Sequence, residues 1–320
     1  MRNRIQFKQI AFAVAVATLM VGADAVEVKL KAAAFLPVKS IYVQQFLRFT
    51  DEVNKQCAGK IAISVVGPEA VASLEQWNAL KSGVVDMHYG PPNYYVGAVP
   101  AGDVISVARN ESAEQRRNGA WALINQVHNQ KLNAWYLTHL MNGVRFHIYT
   151  SKAADGGKFD GMRLRSTPIY DAFFKSLGAA PLRMAPPEVF TALERGAVDG
   201  YGWPLWGVQD FGWHKYTKYR YGPGFISAAV AVLVNLDKWK SLDKDQQDCL
   251  TSTAVWAEGE WPKWRGAEDG TQQAAQDQAG IKYVDLGAGF ARRAEELYWE
   301  VMDKGDPEFV KKVRPLLGGK

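Results

Sequence analysis

The stretch that decides the fold runs from Phe159 to Pro181, FDGMRLRSTPIYDAFFKSLGAAP, and continues at 186–201 with PPEVFTALERGAVDGY. A glycine that directly follows a helical pattern ends the helix in the left-handed conformation. The pattern therefore predicts a strand over 162–166, a helix over 168–177, a second helix over 187–195 and a strand over 198–201. Strands that alternate with helices indicate a parallel sheet covered by helices.

The turn after the second helix has a counterpart earlier in the chain. LKSGVVD at 80–86 and LERGAVD at 193–199 share the pattern L-x-x-G-x-V-D. The earlier copy lies within a β-α-β-α-β pattern, with predicted strands at 28–35, 61–65 and 84–89 and predicted helices at 40–56 and 74–82. Further along, the pattern predicts a helix over 113–130, strands over 132–137 and 145–149, a buried strand within 225–236, and a mostly helical tail with breaks at Pro262 and Gly280. The repeat agrees with two similar α/β lobes.

Composition excludes several classes of protein. The chain has 320 residues, of which 48% are hydrophobic and 22% charged. That is enough apolar material for two domains, and it excludes a disordered chain, collagen and a small disulfide scaffold. The net charge of +5 falls to +3 without the first 25 residues, which carry Arg2, Arg4 and Lys8 against Asp24. So mild an excess does not favour a nucleic-acid partner.

The N-terminus has the pattern of an export signal: a basic start, an apolar stretch from Ile10 to Gly22, and Ala23-Asp24-Ala25 as an A-x-A cleavage site. We predict a signal peptide over 1–25 and a periplasmic mature chain that begins near Val26, with an uncleaved membrane anchor as the alternative. Later stretches all fall short of the ~18–20 apolar residues that a membrane span needs, so the mature chain is not expected to span a membrane.

The sequence holds no local catalytic or metal-binding motif. No two of the five histidines are spaced three or four residues apart, and no P-loop, G-x-S-x-G or dinucleotide-binding pattern is found. The sequence therefore predicts no metal and no cofactor.

Export would place Cys57 and Cys249 in an oxidising compartment, where they either form one bridge or stay as separate buried thiols.

Arginine and aromatic residues at predicted strand ends are the candidates for a binding site. Arg165 ends the strand over 162–166, and Arg145 begins another strand. A guanidinium can hold a carboxylate through two parallel hydrogen bonds, although a surface ion pair is the commoner role of an arginine. Ligands of open α/β sheets bind beyond the carboxyl ends of the strands. The aromatic candidates at such positions are Phe35, Tyr89, Tyr94 and Trp203, whereas Phe211 and Trp213 are expected in a core.

The segment at 159–200 resembles the DctP-type solute-binding proteins of TRAP transporters. The shared features, in order and without large gaps, are a G-x-K/R-(I/L)-R strand at 161–165, a YDAFF helix at 170–174, a G-A-x-P turn at 178–181 and an E-V-(Y/F)-x-A-L-x-x-G-x-V-D-G run at 188–200. The export signal, the earlier repeat and the length extend the resemblance along nearly the whole chain.

The resemblance implies two α/β lobes joined by crossing hinge strands and a long helix, which close on an organic acid in the cleft between them. It implies that Arg165 clamps the ligand's carboxylate, that Arg145 is a second contributor, and that the ligand is passed to TRAP permease subunits in the membrane. We assign the first lobe to 26–142 plus about 229–270, and the second to 143–228 plus about 271–320.

Two departures from the family pattern concern the pocket. Many members carry Q-E-N-P after V-D-G, with the asparagine on the ligand, whereas this chain has Tyr201-Gly202-Trp203-Pro204. Many members also have Phe-Ser before Glu-Val, whereas this chain has Pro186-Pro187. In metal-assisted members the tryptophan is paired with an acidic residue, and this chain has Gly202 in place of that acidic residue. The resemblance thus implies that the carboxylate clamp is kept and that an indole replaces a polar contact.

We therefore predict a non-catalytic, periplasmic solute-binding protein for a monocarboxylate, with an apolar or aromatic body as one possible form of the ligand. An exported sensory subunit and an exported enzyme on the same scaffold are the alternatives. The predicted ligand-binding residues are Arg165, Arg145, Trp203, Tyr89, Tyr94 and Phe35.

Overall fold

The computed structural model describes residues 27–319. The predicted signal peptide, 1–25, and the predicted mature start at Val26 lie outside the described residues. The strands of the described chain are β1 (Val28–Ala34), β2 (Ile61–Val66), β3 (Met87–Gly90), β4 (Ala134–Leu140), β5 (Phe146–Thr150), β6 (Arg163–Ser166), β7 (Ala180–Arg183), β8 (Gly200–Pro204), β9 (Tyr219–Gly222), β10 (Val230–Asn235) and β11 (Lys282–Asp285).

The helices cover the faces of the sheets. Over residues 27–319 they are α1 (Ile41–Gln56), α2 (Gln76–Lys81), α3 (Ser112–Asn118), α4 (Ala120–Leu132), α5 (Asp171–Ser176), α6 (Pro186–Glu194), α7 (Leu236–Ser241), α8 (Lys244–Gln278), α9 (Ala288–Gly305) and α10 (Pro307–Val313). Ser40 caps α1 by accepting a hydrogen bond from the Val43 N–H. None of these helices is long and apolar enough to cross a lipid bilayer.

The strands form two sheets, each of which belongs to one lobe. The first sheet has the order β2-β1-β3-β10-β4, in which β1, β2 and β3 are parallel and β10 runs antiparallel to both of its neighbours. The second sheet has the order β11-β9-β5-β8-β6-β7, with β6, β7 and β8 parallel. We call the first sheet with its helices the first lobe, and the second sheet with its helices the second lobe.

The sequence repeat corresponds to the same structural device in both lobes. Gly83 and Gly196 have φ values of +76° and +62°, the left-handed conformation that the pattern predicts. The next acidic residue then ties the strand to its parallel neighbour: Asp86 accepts from the Lys31 N–H and Asp199 from the Arg163 N–H, each at 2.9 Å. The repeat therefore fixes the register of β3 beside β1 and of the 198–200 segment beside β6.

Two chain segments that pair with each other connect the lobes. The chain passes from β4 to β5 through 141–145 and returns from β9 to β10 through 223–229, and Arg145 and Ser227 form an antiparallel bridge where the two segments meet. The 35-residue helix α8 runs alongside both lobes for about 52 Å. It packs on α1 and β4 of the first lobe, and its Gln276 accepts from Arg220 of β9 in the second lobe.

Most predicted elements differ by a few residues at their ends, and two predictions about the helices are changed by the structure. The helix predicted over 113–130 is two helices, because Gly119 lies between them at φ +91°. The predicted break at Pro262 is wrong, since Pro262 lies inside α8. Proline lacks the N–H for one helical hydrogen bond, but its neighbour Trp261 is buried and donates to the Asn142 carbonyl, so tertiary contacts keep the helix continuous there.

Of the two alternatives for the cysteines, the structure contains the bridge. Cys57, which follows α1, and Cys249 in α8 are disulfide-bonded, with their Cα atoms 6.0 Å apart. The bond joins positions 192 residues apart in sequence, so it closes a very large loop of the unfolded chain. A cross-link of that span lowers the entropy of the unfolded chain substantially.

We expect the double substitution Cys57→Ala and Cys249→Ala to lower the free energy of unfolding by on the order of 3 to 5 kcal/mol, because it restores that entropy. Urea unfolding of the oxidised wild type and of the double variant measures the difference. The reductant dithiothreitol should destabilise the wild type and leave the variant unchanged. Equal midpoints in all four conditions would contradict a stabilising bridge.

Candidate functional site

A cavity with a volume of about 40 Å³ for the centres of water-sized spheres lies between the lobes, beyond the ends of the strands. β1, β3, β6 and β8 all end at it, so the residues at or just after their carboxyl ends form much of its wall. The crossing segments supply one side of the wall. The lining residues are Phe35, Tyr42, Pro91, Asn93, Tyr94, Ser106, Phe146, Arg165, Thr167, Tyr170, Trp203, Pro204, Ala228, Ala229 and Val230.

Arg165 is the charged group of this cavity and is 1% exposed. Its Nε donates to the Met184 carbonyl at 3.1 Å, and its Nη1 donates to the Tyr170 hydroxyl at 2.9 Å and to the Gly202 carbonyl at 3.3 Å. Its guanidinium carbon lies 5.4 Å from the centre of the Trp203 ring. The guanidinium is thus held rigidly by neutral groups.

The positive charge of Arg165 has no counter-charge in the described chain. Among residues 27–319 no carboxylate oxygen lies within 4.0 Å of the guanidinium, and its Nη2 is buried without a hydrogen-bond partner. Burying an unpaired charge is costly unless an anion neutralises it. The cavity is therefore suited to a small anion whose charge meets Nη2.

Trp203 closes the cavity between the two lobes. Its indole N–H donates to the Trp206 carbonyl at 2.9 Å, and the Tyr42 hydroxyl of α1 donates to the same carbonyl at 3.1 Å. The Tyr42 and Trp203 rings meet edge to face, with centroids 5.8 Å apart. Nearby, the Ile41 N–H donates to the Asp210 carboxylate at 2.8 Å. These contacts join the first lobe to the second, so the lobes are closed on each other.

Gly202 allows the arginine and its support to pack closely. A Cβ at this position would lie 2.7 Å from Phe174 and 3.1 Å from Tyr170. A side chain would therefore displace Phe174 and crowd Tyr170, whose hydroxyl accepts from Arg165 and donates to the Gly202 carbonyl. The acidic side chain that the resemblance implies at this position in metal-assisted members would not fit. No cluster of three or more possible metal-ligating side chains is found in residues 27–319.

The phenols of the cavity stay neutral at physiological pH. Burial raises the pKa of Tyr94 to about 12, although the neighbouring charge of Arg165 acts to lower it. Burial also raises the pKa of Tyr170, again against the charge of Arg165, and raises that of Tyr42 well above its usual value. These hydroxyls therefore serve as neutral hydrogen-bonding groups and provide no counter-charge for the arginine.

Four of the predicted site residues lie together and two do not. Phe35, Tyr94, Arg165 and Trp203 line the cavity. Tyr89 lies behind Phe35 in the first lobe, where its ring stacks on Phe46 at 4.5 Å and its hydroxyl donates to the Tyr42 carbonyl. It supports the wall without lining it.

Arg145 lies in a neighbouring cavity, which has a volume of about 250 Å³ by the same measure and where Arg145 faces Arg109, Arg265 and Glu295. Burial lowers the pKa of Arg145, Glu295 acts to raise it, and Arg109 and Arg265 lower it further. Glu295 itself pairs with Arg109 at 2.7 Å. Ser106 lies between the two cavities and lines both.

Sequence reasoning missed several cavity residues. Tyr170 and Thr167 lie directly after β6, in the segment that carries the family resemblance. The resemblance could therefore have identified them as cavity residues. Tyr42, Asn93 and Ser106 come from helix α1 and from two short turns, and no local pattern marks them as ligand-facing. Only the folded chain brings them to Arg165.

Asp103 lies behind the cavity wall and supports Ser106, which lines the cavity. It is fully buried, and its two carboxylate oxygens accept from the Ser106 hydroxyl at 2.7 Å and from the Tyr298 hydroxyl at 2.5 Å. Burial raises the pKa of Asp103 to about 6, although these hydrogen bonds and one from Asn93 act to lower it. The chain thus keeps a carboxylate in a site that disfavours its charge.

Comparison with protein-family models matches residues 32–304 to the family described as bacterial extracellular solute-binding protein, family 7. A curated relative from Nostoc sp., named a monocarboxylate 2-oxoacid-binding periplasmic protein, is 24% identical over 255 residues, which cover 74% of this chain and 67% of the relative.

Solved structures show the same fold. A TRAP periplasmic solute-binding protein from Roseobacter denitrificans with bound L-galactonate has a TM-score of 0.76 at 18% identity, covering 92% of this chain and all of that one. An extracytoplasmic solute receptor from Bordetella pertussis that binds pyroglutamic acid has the same TM-score and identity, covering 91% of this chain and 98% of the other. The two-lobed α/β fold predicted from the sequence is confirmed.

The buried carboxyl of Asp103 predicts a pH-dependent stability. Because its pKa is raised from 3.8 to about 6 on folding, the folded chain binds this proton more tightly, and the contribution to stability falls as pH rises from about 4 to 6. We expect the free energy of unfolding of the wild type minus that of Asp103→Asn to fall by up to about 3 kcal/mol across this range. Urea unfolding at a series of pH values measures it. A difference that stays constant with pH would contradict a raised pKa.

Proposed function

Because the chain belongs to the DctP family of bacterial extracellular solute-binding proteins, family 7, we propose that it captures a monocarboxylate by an arginine clamp at Arg165. Membership confirms the resemblance to TRAP transporter solute-binding proteins and the expectation of a binding protein rather than an enzyme. The ligand, the clamp and the delivery step are parts of the proposal.

One observation carries the proposal: Arg165 is fully buried, faces the cavity between the lobes and lacks a counter-charge. Its Nε and Nη1 are already used on protein acceptors, and Nη2 is left for a ligand. A carboxylate oxygen can accept a charge-assisted hydrogen bond from Nη2 and bring the missing negative charge. Charge neutralisation would favour it strongly, since the arginine is almost completely buried.

The lining of the cavity favours a ligand with a single carboxylate. Arg165 is the one cationic side chain that lines it in the described chain, because Arg145 faces the neighbouring cavity. A second carboxylate would lie among aromatic and small apolar residues and would have no cation to pair with. Three relatives point the same way, since their names or bound ligands are a monocarboxylate 2-oxoacid, L-galactonate and pyroglutamic acid.

We propose a capture mechanism based on closure of the lobes. The second lobe would bind the carboxylate through Arg165, and Trp203 would cover the body of the ligand. Phe35 and Tyr94 would close on it from the first lobe, with Tyr89 supporting Phe35. The crossing segments at 141–145 and 223–229 would form the hinge, and the lobe limits predicted from the sequence stay part of this proposal.

Delivery is the second half of the proposed function. Members of the family act outside the cytoplasm and work with TRAP permeases. We propose that export of this chain depends on a signal peptide over 1–25 that is then cleaved, that it acts in the periplasm, and that closure of the lobes creates the surface that the permease subunits recognise. If the chain is instead an exported sensory subunit, the binding step would be the same and the protein that recognises the closed form would not be a permease.

Arg165→Ala should weaken binding of a monocarboxylate by about 2 to 4 kcal/mol, a roughly thirty- to thousandfold rise in Kd, because the anion is left unpaired in a closed cleft. Calorimetric titration with the acids that shift the melting temperature of the wild type measures it. Unchanged affinity would refute the clamp.

The matched control is Arg163→Ala on the same strand. Arg163 is exposed and pairs with Asp199, so it does not line the cavity. Its loss should leave Kd within about twofold of the wild type, since an exposed ion pair contributes little. An equal loss of affinity in both variants would show that the strand, and not the clamp, had been damaged.

Arg145→Ala should weaken binding less than Arg165→Ala does. Its charge acts from the neighbouring cavity, where Glu295 and solvent screen it, so we expect a rise in Kd of no more than about tenfold at low salt and less at high salt. Titrations at two salt concentrations measure this. A loss as large as that of Arg165→Ala at both concentrations would place Arg145 in direct contact with the ligand.

A further inference from the structure

The cavity contains buried hydrogen-bonding atoms that a carboxylate does not use. The Oδ1 of Asn93 is buried without a partner, and Asn93 is 7% exposed. Ser106, at 2% exposed, lines the same cavity. A buried polar atom that is left unpaired costs about as much as a lost hydrogen bond, so Asn93 Oδ1 requires a partner when the cleft is closed. The Ser106 oxygen is already bonded to Asp103 and can accept one further hydrogen bond.

Asp103 determines which way Ser106 can bond. The Ser106 hydroxyl gives its only proton to Asp103, so what it offers to the cavity is the acceptor capacity of its oxygen. Asn93 needs no such constraint, because its amide Oδ1 is an acceptor by its chemistry and is buried without a partner. Tyr298 of α9 donates to the other carboxylate oxygen and holds Asp103 in place.

Thr167 does not discriminate between ligands in this way. Its Oγ1 is also buried in the cavity without a partner. A threonine hydroxyl can donate or accept, so it would adapt to either kind of group. The requirement therefore rests on Asn93 and Ser106, which both offer acceptors.

We infer that the ligand bears hydroxyl or N–H donors on its body, which meet the acceptors of Asn93 and Ser106 while its carboxylate meets Arg165. The inference rests on the proposed function and narrows its substrate class to hydroxy, amino or lactam monocarboxylates. It revises the apolar or aromatic body considered from the sequence. Asp103 is then a positioning residue, since it acts on the ligand through Ser106.

A hydrocarbon acid would meet the same arginine but would leave Asn93 Oδ1 unpaired and Ser106 without a second hydrogen bond. Its apolar body would displace any water from Asn93 and Ser106 and offer nothing in exchange. A site that is built to hydrogen-bond a ligand group discriminates strongly against the analogue that lacks it. We expect at least a tenfold preference for the donor-bearing member of a matched pair.

The test uses pairs of acids that differ in donor groups. Suitable pairs are gluconate with hexanoate, pyroglutamate with cyclopentanecarboxylate, and mandelate with phenylacetate. Calorimetric titration of the full mature chain with each acid gives Kd and the ratio within each pair. The variants are Ser106→Ala, Asn93→Ala, Asp103→Asn and Arg165→Ala, and Ser252→Ala, which removes an exposed hydroxyl on α8, is the matched control.

The expected result is that a donor-bearing acid binds tightest and exceeds its partner at least tenfold. Ser106→Ala, Asn93→Ala and Asp103→Asn should move that ratio towards one while the affinity for the partner acid stays within about threefold. A merely structural loss would instead weaken both members of a pair alike. Ser252→Ala should change neither value.

Other outcomes separate this inference from the proposed function. If hydrocarbon acids bind as tightly as their substituted partners and Arg165→Ala abolishes both, the donor requirement is wrong and the clamp stands. If the variants weaken both members of each pair equally, the roles of Ser106, Asn93 and Asp103 are wrong. If the wild type binds none of the six acids, the result counts against the proposed function and, with it, against this inference.

Discussion

The buried and unpaired guanidinium of Arg165 is the constraint on which the rest of the structure depends. Three hydrogen bonds to neutral acceptors and the face of Trp203 hold it, and none of them removes its charge. The closed chain therefore retains an unfavourable electrostatic term that an anion would relieve. A protein with this property gains most from closing when a ligand is present, which is the behaviour that capture and release require.

The two lobes share a framework but not a chemistry. Asp86 and Asp199 tie equivalent strands to their neighbours through the N–H groups of Lys31 and Arg163. Two residues further along each neighbouring strand, the first lobe has Ala33 and the second has Arg165. The repeat thus places corresponding positions near the strand ends in both lobes, and only the second carries the charge. The first lobe contributes aromatic rings and, through Asn93 and Ser106, hydrogen-bond acceptors.

Much of the fold was predictable because its signals are local. Glycines at φ > 0, the Ser40 cap and the alternation of apolar residues gave the order of strands and helices along the chain. The failures were positions where distant contacts outweigh local preference. Pro262 lies within α8 because Trp261 beside it is buried and hydrogen-bonded, and Gly119 divides a pattern that is continuous in its apolar residues.

The sequence by itself determined the family, the two-lobed framework and the residues at the strand ends, Arg165, Trp203, Phe35 and Tyr94 among them, because strand ends and motifs can be recognised over short distances. Tertiary structure alone decided that Cys57 and Cys249 are bonded, that Arg145 faces a separate cavity, and that Asp103 orients Ser106. Each of these depends on the distance between groups far apart in the chain, and periodicity along a sequence carries no information about that distance.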